Sequence, residues 1–114
     1  PRINYRRCNE RPYRYVWGNG NGPSGWLEQI VKVDTADGSS LSWSQPGFYP
    51  GEPVFVARPE AEDEDDGVLL SVVLDATARR SMLLVLDAGD LGELARAEVP
   101  HHIPFGFHGQ FARD

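Results

Sequence analysis

A single cysteine in 114 residues leaves no disulfide within the chain, which excludes the stapled scaffolds of small secreted proteins. Cys8 points to a reducing compartment, the cytoplasm first among them. Basic charge is scarce as well: 11 Lys and Arg stand against 17 Asp and Glu, a net of −6, the wrong sign for a nucleic-acid binder. The deficit is uneven. Residues 1–57 carry six basic and five acidic side chains, residues 58–114 five and twelve. No apolar run approaches the ~20 residues of a membrane-spanning helix. The longest, Val68-Leu69-Leu70 with Val72-Val73-Leu74 and Met82 to Leu86, have the length of strands. No signal peptide opens the chain. It starts at Pro1, without methionine and inside what reads as a loop, so a cut end is expected there. Histidine is absent until residue 101, and all three, His101, His102 and His108, fall within "PHHIPFGFHGQF" (100–111).

The residues present suit one small domain: 40% are hydrophobic and 25% charged, which argues against wholesale disorder. Their dominant period is two. "YRYVW" (13–17) and "WLEQIVKVD" (26–34) alternate, with Leu27, Gln29, Val31 and Val33 on one side and Glu28, Ile30, Lys32 and Asp34 on the other. Asp37-Gly38 is a hairpin signal, and "LSWS" (41–44) is the return strand. "PVFVAR" (53–58), "GVLLSVVLD" (67–75), "SMLLVLD" (81–87) and "ELARAEV" (93–99) complete a β meander. The second and third of these are almost continuously apolar, as strands buried on both faces are. Asp90 and Glu93 have the spacing of a helix capping box, but Gly92 and Pro100 favour a strand over 93–99. The class is all-β, a sandwich, barrel or propeller.

Several motifs have a plain reading that outweighs the sharp one. "GNGPSG" (20–25) fits a phosphate-binding pattern, but a strand follows it where that chemistry needs a helix N-terminus; it reads as a hairpin loop. Arg2, Arg6, Arg7, Arg11 and Arg14 interleave with Tyr5, Tyr13 and Tyr15, a pattern that can hold phosphate and stack bases. In so acidic a chain, pairing with carboxylates is the better use. "EAEDEDDG" (60–67) fails as a calcium loop, because Val73 stands where a bidentate glutamate is required; a solvated acidic loop is expected. The histidines read either as metal ligands beside close-approach glycines or as residues of a surface loop.

Four stretches, in order, carry a resemblance across essentially the whole chain. "PRINY" (1–5), "YPGEPVFVARP" (49–59), "EDEDDGVLLSVVLD" with "LLVLDAGDLGELARAEVP" (62–75 and 83–100), and "PHHIPFGFHGQF" resemble the carotenoid cleavage oxygenases. That non-haem iron family includes apocarotenoid oxygenases and the retinoid isomerase of the pigment epithelium. The resemblance implies C-terminal blades of a seven-bladed β-propeller with Fe(2+) on its axis, held by four histidines. It implies that His108 in "GFHG" is the last of the four, and that Glu52 of "YPGEP" hydrogen-bonds the far nitrogen of an iron-bound histidine. His101 and His102 are not ligands of the family. The other three ligands have no match here and are expected upstream of Pro1. Residues 1–114 are then the C-terminal part of one propeller domain, ending at a natural C-terminus, and catalytically silent alone. The parent is expected to be an Fe(II) dioxygenase that cleaves a C=C bond of a carotenoid or apocarotenoid with O₂, giving aldehyde or ketone products. No nucleic acid is implied, and peripheral membrane contact would fall to other parts of the parent. A non-catalytic propeller scaffold stays open, as do stilbene cleavage and retinoid isomerisation within the family.

Overall fold

A computed structural model of the chain describes residues 1–104, 106 and 108–113. Phe105 and Phe107 of the histidine-bearing stretch lie outside the described residues. After a short helix α1 (Tyr5–Cys8), eight strands follow: β1 (Tyr15–Asn21), β2 (Leu27–Asp34), β3 (Ser40–Trp43), β4 (Phe48–Pro50), β5 (Val54–Ala57), β6 (Gly67–Asp75), β7 (Arg80–Asp87) and β8 (Glu93–Glu98). They form two antiparallel sheets. One is β1-β2-β3; in the other, β6 is flanked on one edge by both β4 and β5 and on the other by β7, which carries β8.

The turns are set by local chemistry. Gly38 adopts φ +74° between β2 and β3, as the Asp37-Gly38 signal requires, and the Asp37 carboxylate accepts the Ser39 amide. The β1–β2 hairpin closes through Gly25 at φ +80°, and β1 runs through Gly20 and Asn21, so the loop is shorter than the motif. Between β7 and β8, Asp87 accepts the Gly89 amide at 2.7 Å and Asp90 accepts the Gly92 amide at 2.7 Å. Asp90 thus makes a turn and caps no helix. The strand it introduces, β8, is exposed throughout, and Glu93, Arg96 and Glu98 give this edge a charged surface that discourages further pairing.

The core lies between the sheets. Trp17 and Ile30 of the first meet Leu69, Val73, Met82, Leu84 and Leu86 of the second. Trp17 stacks on Phe55, ring centroids 4.7 Å apart, and its indole N–H donates to the Ala88 carbonyl at 3.0 Å, so its one polar group is satisfied. The inward face of β2 is the one bearing Ile30 and Lys32. Lys32 is accommodated because its ammonium donates to Asp65 at 2.5 Å and to the Gly89 carbonyl at 2.9 Å, and sits 4.0 Å from the Tyr15 ring centroid.

One expectation is corrected here. The acidic loop is not simply solvated: Glu64 accepts the backbone amides of Arg14 and Tyr15 at 2.9 Å each, Asp65 holds Lys32, and Asp66 pairs with Arg58 at 2.9 Å. Its carboxylates tie the second sheet's connection to the first sheet. In these 114 residues β6 and β7 are covered on one face only, as apolar strands that expect a further layer would be. Leu69, Ser71, Val73, Met82, Leu84 and Leu86 point into the core, whereas on the opposite face Val72 and Leu83 are 44% and 39% exposed. Cys8 is buried against Glu64, and burial first, then the Glu64 charge, pushes its thiol above the ordinary value.

Candidate metal-ligand site

Glu52 owes its position to a break in a strand. β4 and β5 line the same edge of β6, with Pro50 opposite Val73 and Val54 opposite Leu70. Three residues, Gly51, Glu52 and Pro53, therefore face two, Ser71 and Val72. This is a bulge, and a bulge re-aims a side chain. Its backbone is anchored at Gly51. The Gly51 amide donates to Val72 at 2.8 Å, and the Gly51 carbonyl accepts from the Ser71 hydroxyl at 2.9 Å and from the Asn19 amide group at 3.1 Å. A Cβ on Gly51 would lie 3.0 Å from the Val72 oxygen, so the close approach favours glycine. Buried Pro53 supplies no amide that the break would leave unpaired.

His108 comes from the segment after β8, and buried Ser81 on β7 fixes where that segment starts. The Ser81 amide donates to the His101 carbonyl at 2.9 Å, and its hydroxyl accepts the Ile103 amide at 2.7 Å. Farther along, Arg2 donates to the Gly109 carbonyl at 2.7 Å, and Arg113 donates to the Ala57 carbonyl at 3.0 Å. The segment thus returns over the bulge.

There the imidazole meets the carboxylate. Nδ1 of His108 lies 2.5 Å from Oε2 of Glu52, across 56 residues of sequence. A carboxylate only accepts, so Nδ1 carries the proton of the neutral ring and Nε2 carries the lone pair. The other oxygen, Oε1, is 3.5 Å from the Arg2 guanidinium. The carboxylate is well covered, 14% exposed, while the imidazole is 67% exposed. Both stand in the wall of a cleft of about 320 Å³ whose apolar side is Leu70, Val72, Leu74 and Leu83, faced by Ile103 and Phe111. The outward face of β6 and β7 is the wall of this cleft.

An imidazole with one nitrogen fixed on a carboxylate is oriented to offer the other to a metal. The donor fits one coordination position. Among the described residues no group of three or more His, Cys, Asp or Glu is placed to hold a metal ion. His101 and His102 are exposed and do not join His108 on Glu52. Ser71, Ser81, Asn19 and Arg2, which build the frame, were not singled out for this role by the sequence. A signal existed for Ser71: a small hydroxyl at an inward position of "GVLLSVVLD" needs a partner.

The chain matches the family model described as retinal pigment epithelial membrane protein over residues 1–113. It is 44% identical over 112 residues to the mitochondrial carotenoid-cleaving dioxygenase of Pongo abelii, covering 97% of this chain and 20% of that protein. It is 48% identical over 103 residues to a carotenoid dioxygenase of Neurospora crassa, covering 87% of this chain and 16% of the relative. Among solved structures, the Synechocystis apocarotenoid oxygenase in its cobalt-substituted form superposes with a TM-score of 0.85 at 41% identity, over 91% of this chain and 23% of that one. The chain spans about a fifth of the length of the curated relatives it matches. The solved relatives are β-propeller enzymes, and the all-β fold described above agrees with them. On sequence and fold together, the chain belongs to the retinal pigment epithelial membrane protein family, the carotenoid oxygenases.

Proposed function

We propose that these 114 residues form the C-terminal part of the propeller domain of a carotenoid- or apocarotenoid-cleaving dioxygenase, and that they supply one Fe(II) ligand, His108, with its orienting carboxylate, Glu52. The observation that carries the reading is the 2.5 Å contact between Nδ1 and Oε2 in the wall of an apolar cleft. The other ligands would come from sequence outside these residues, so the segment alone would be inactive. Bound there, a ferrous ion would supply the activation of O₂ needed to convert one C=C bond of a polyene into two carbonyl groups.

The chain's own residues do the rest. Glu52 keeps the ring proton on Nδ1 and so keeps the lone pair on Nε2. Leu70, Val72, Leu74 and Leu83 give a hydrocarbon chain an apolar surface to lie on and exclude water from it. Among the described residues that line the cleft, Glu52 is the one acidic or basic side chain other than the imidazole, which suits a substrate with nothing to ion-pair. The buried thiol of Cys8 suits a reducing, cytoplasmic setting. None of the helices among the described residues is long and apolar enough to cross a membrane, and any peripheral contact to collect an apolar substrate would fall to other parts of the parent chain.

The test is anaerobic loading of the full-length protein with Fe(II), followed by carotenoid or apocarotenoid and O₂. Aldehyde or ketone products that depend on iron are expected. Full-length protein that takes up no iron and cleaves no carotenoid or apocarotenoid would leave a non-catalytic binding propeller as the better reading.

A further inference from the structure

We propose that Arg2 is a positioning residue for this centre, setting the carboxylate of Glu52 and the imidazole of His108 through one guanidinium. The proposal rests on reading His108 as a ligand and Glu52 as its partner. One nitrogen, Nη2, reaches both halves of the site: it donates to the carbonyl of Gly109, next to the imidazole, at 2.7 Å, and lies 3.5 Å from Oε1 of Glu52. The two oxygens of Glu52 are thereby divided, Oε2 to the imidazole and Oε1 to the guanidinium. A carboxylate held at one oxygen only can swing about its last torsion. Held at both, it presents a fixed acceptor to Nδ1.

The guanidinium is itself anchored. The Arg2 amide donates to the Trp17 carbonyl at 2.6 Å and the Trp17 amide returns a bond to the Arg2 carbonyl at 2.8 Å, so the Arg2 backbone is fixed to the most buried residue of β1. The side chain is 16% exposed, and its Nε is buried without a hydrogen-bond partner among the described residues. Burying that donor unpaired is unfavourable, and an arginine chosen only to brace the fold has no need of it. The cost is understandable if the far end of the group has to reach the carboxylate and the segment of His108 together. The orienting device is then a relay from the core: Trp17 holds Arg2, Arg2 holds Glu52 and Gly109, and Glu52 holds His108.

The test compares Arg2→Met and Arg2→Lys in the full-length protein, reading Fe(II) affinity by chelator competition and the visible absorption of the Co(II)-loaded form. Thermal unfolding of the metal-free protein is recorded alongside. Arg2→Met is expected to weaken Fe(II) binding about tenfold, the lower end of what a residue behind a ligand contributes, and to alter the cobalt spectrum. Arg2→Lys should restore part of both. Combined with Glu52→Gln, Arg2→Met should add less than it does alone, because both act through one carboxylate. Should Arg2→Met fail to fold, Arg2→Gln, which keeps a donor for Gly109, is read in the same way. Wild-type metal affinity and cobalt spectrum in these variants, even with a lowered unfolding temperature, would make Arg2 a purely structural residue and overturn the proposal. If His108→Ala also left metal binding intact, the ligand reading itself would fail; loss in His108→Ala alone would sink only the role of Arg2.

Discussion

The imidazole of His108 is mostly exposed, yet its Nδ1 sits on a carboxylate that is almost covered. The carboxylate therefore sets the geometry and the imidazole follows it. Glu52→Gln tests this directly. Glutamine keeps an acceptor oxygen but loses the charge, so the bond from Nδ1–H weakens and the ring is less firmly held. Iron occupancy or turnover of the full-length protein is expected to fall roughly 10–100-fold. Full iron and full turnover in that variant would reduce Glu52 to a turn residue. At this scale the sequence was legible only through resemblance: "YPGEP" and "GFHG" named Glu52 and His108, but no period or spacing pairs residues 52 and 108. Arg2 stayed hidden for the same reason. Its bond to Gly109 crosses 107 positions, and the guanidinium read from sequence as one of several cations in an acidic chain.

Among the elements, the connection between β5 and β6 joins the sheets through charge, and the magnitudes separate its members. Lys32 is 8% exposed at its side chain and Asp65 23%, whereas Arg58 and Asp66 are 62% and 33% exposed. Asp65→Asn would leave a buried ammonium without its carboxylate, a change that costs about 3 kcal/mol when a buried pair is broken from one side. Asp66→Asn removes an exposed pair and should cost below about 1 kcal/mol. Urea unfolding of the two variants checks the contrast; equal, small shifts would return the loop to the solvated role that its composition suggests. The strands themselves were readable. Period two and the Asp37-Gly38 turn located β2, β3, β6, β7 and β8 within a residue or two, because those strands are long or bounded by turn residues. β4 spans three residues and α1 four, too short for any period to register. The bulge between β4 and β5 escaped because "FYPGEPVFVA" reads as loop and strand, and only the register on β6 shows it to be one strand interrupted.

Across the molecule, the acidic half and the more basic half identified by composition are joined by their charges. Lys32 meets Asp65, and Glu64 accepts the amides of Arg14 and Tyr15 at the start of β1, so the imbalance is used between segments far apart in sequence. The same arrangement leaves one face of β6 and β7 open as the wall of the cleft, with the imidazole at its edge. The central claim is that this edge supplies a metal ligand, and that of three histidines only His108 does so. The most direct measurement is iron per chain after anaerobic Fe(II) loading of the full-length protein and its His101→Ala, His102→Ala and His108→Ala variants. About one iron is expected in the parent and the first two variants, with nearly complete loss in the third. Undiminished iron in His108→Ala would contradict the account.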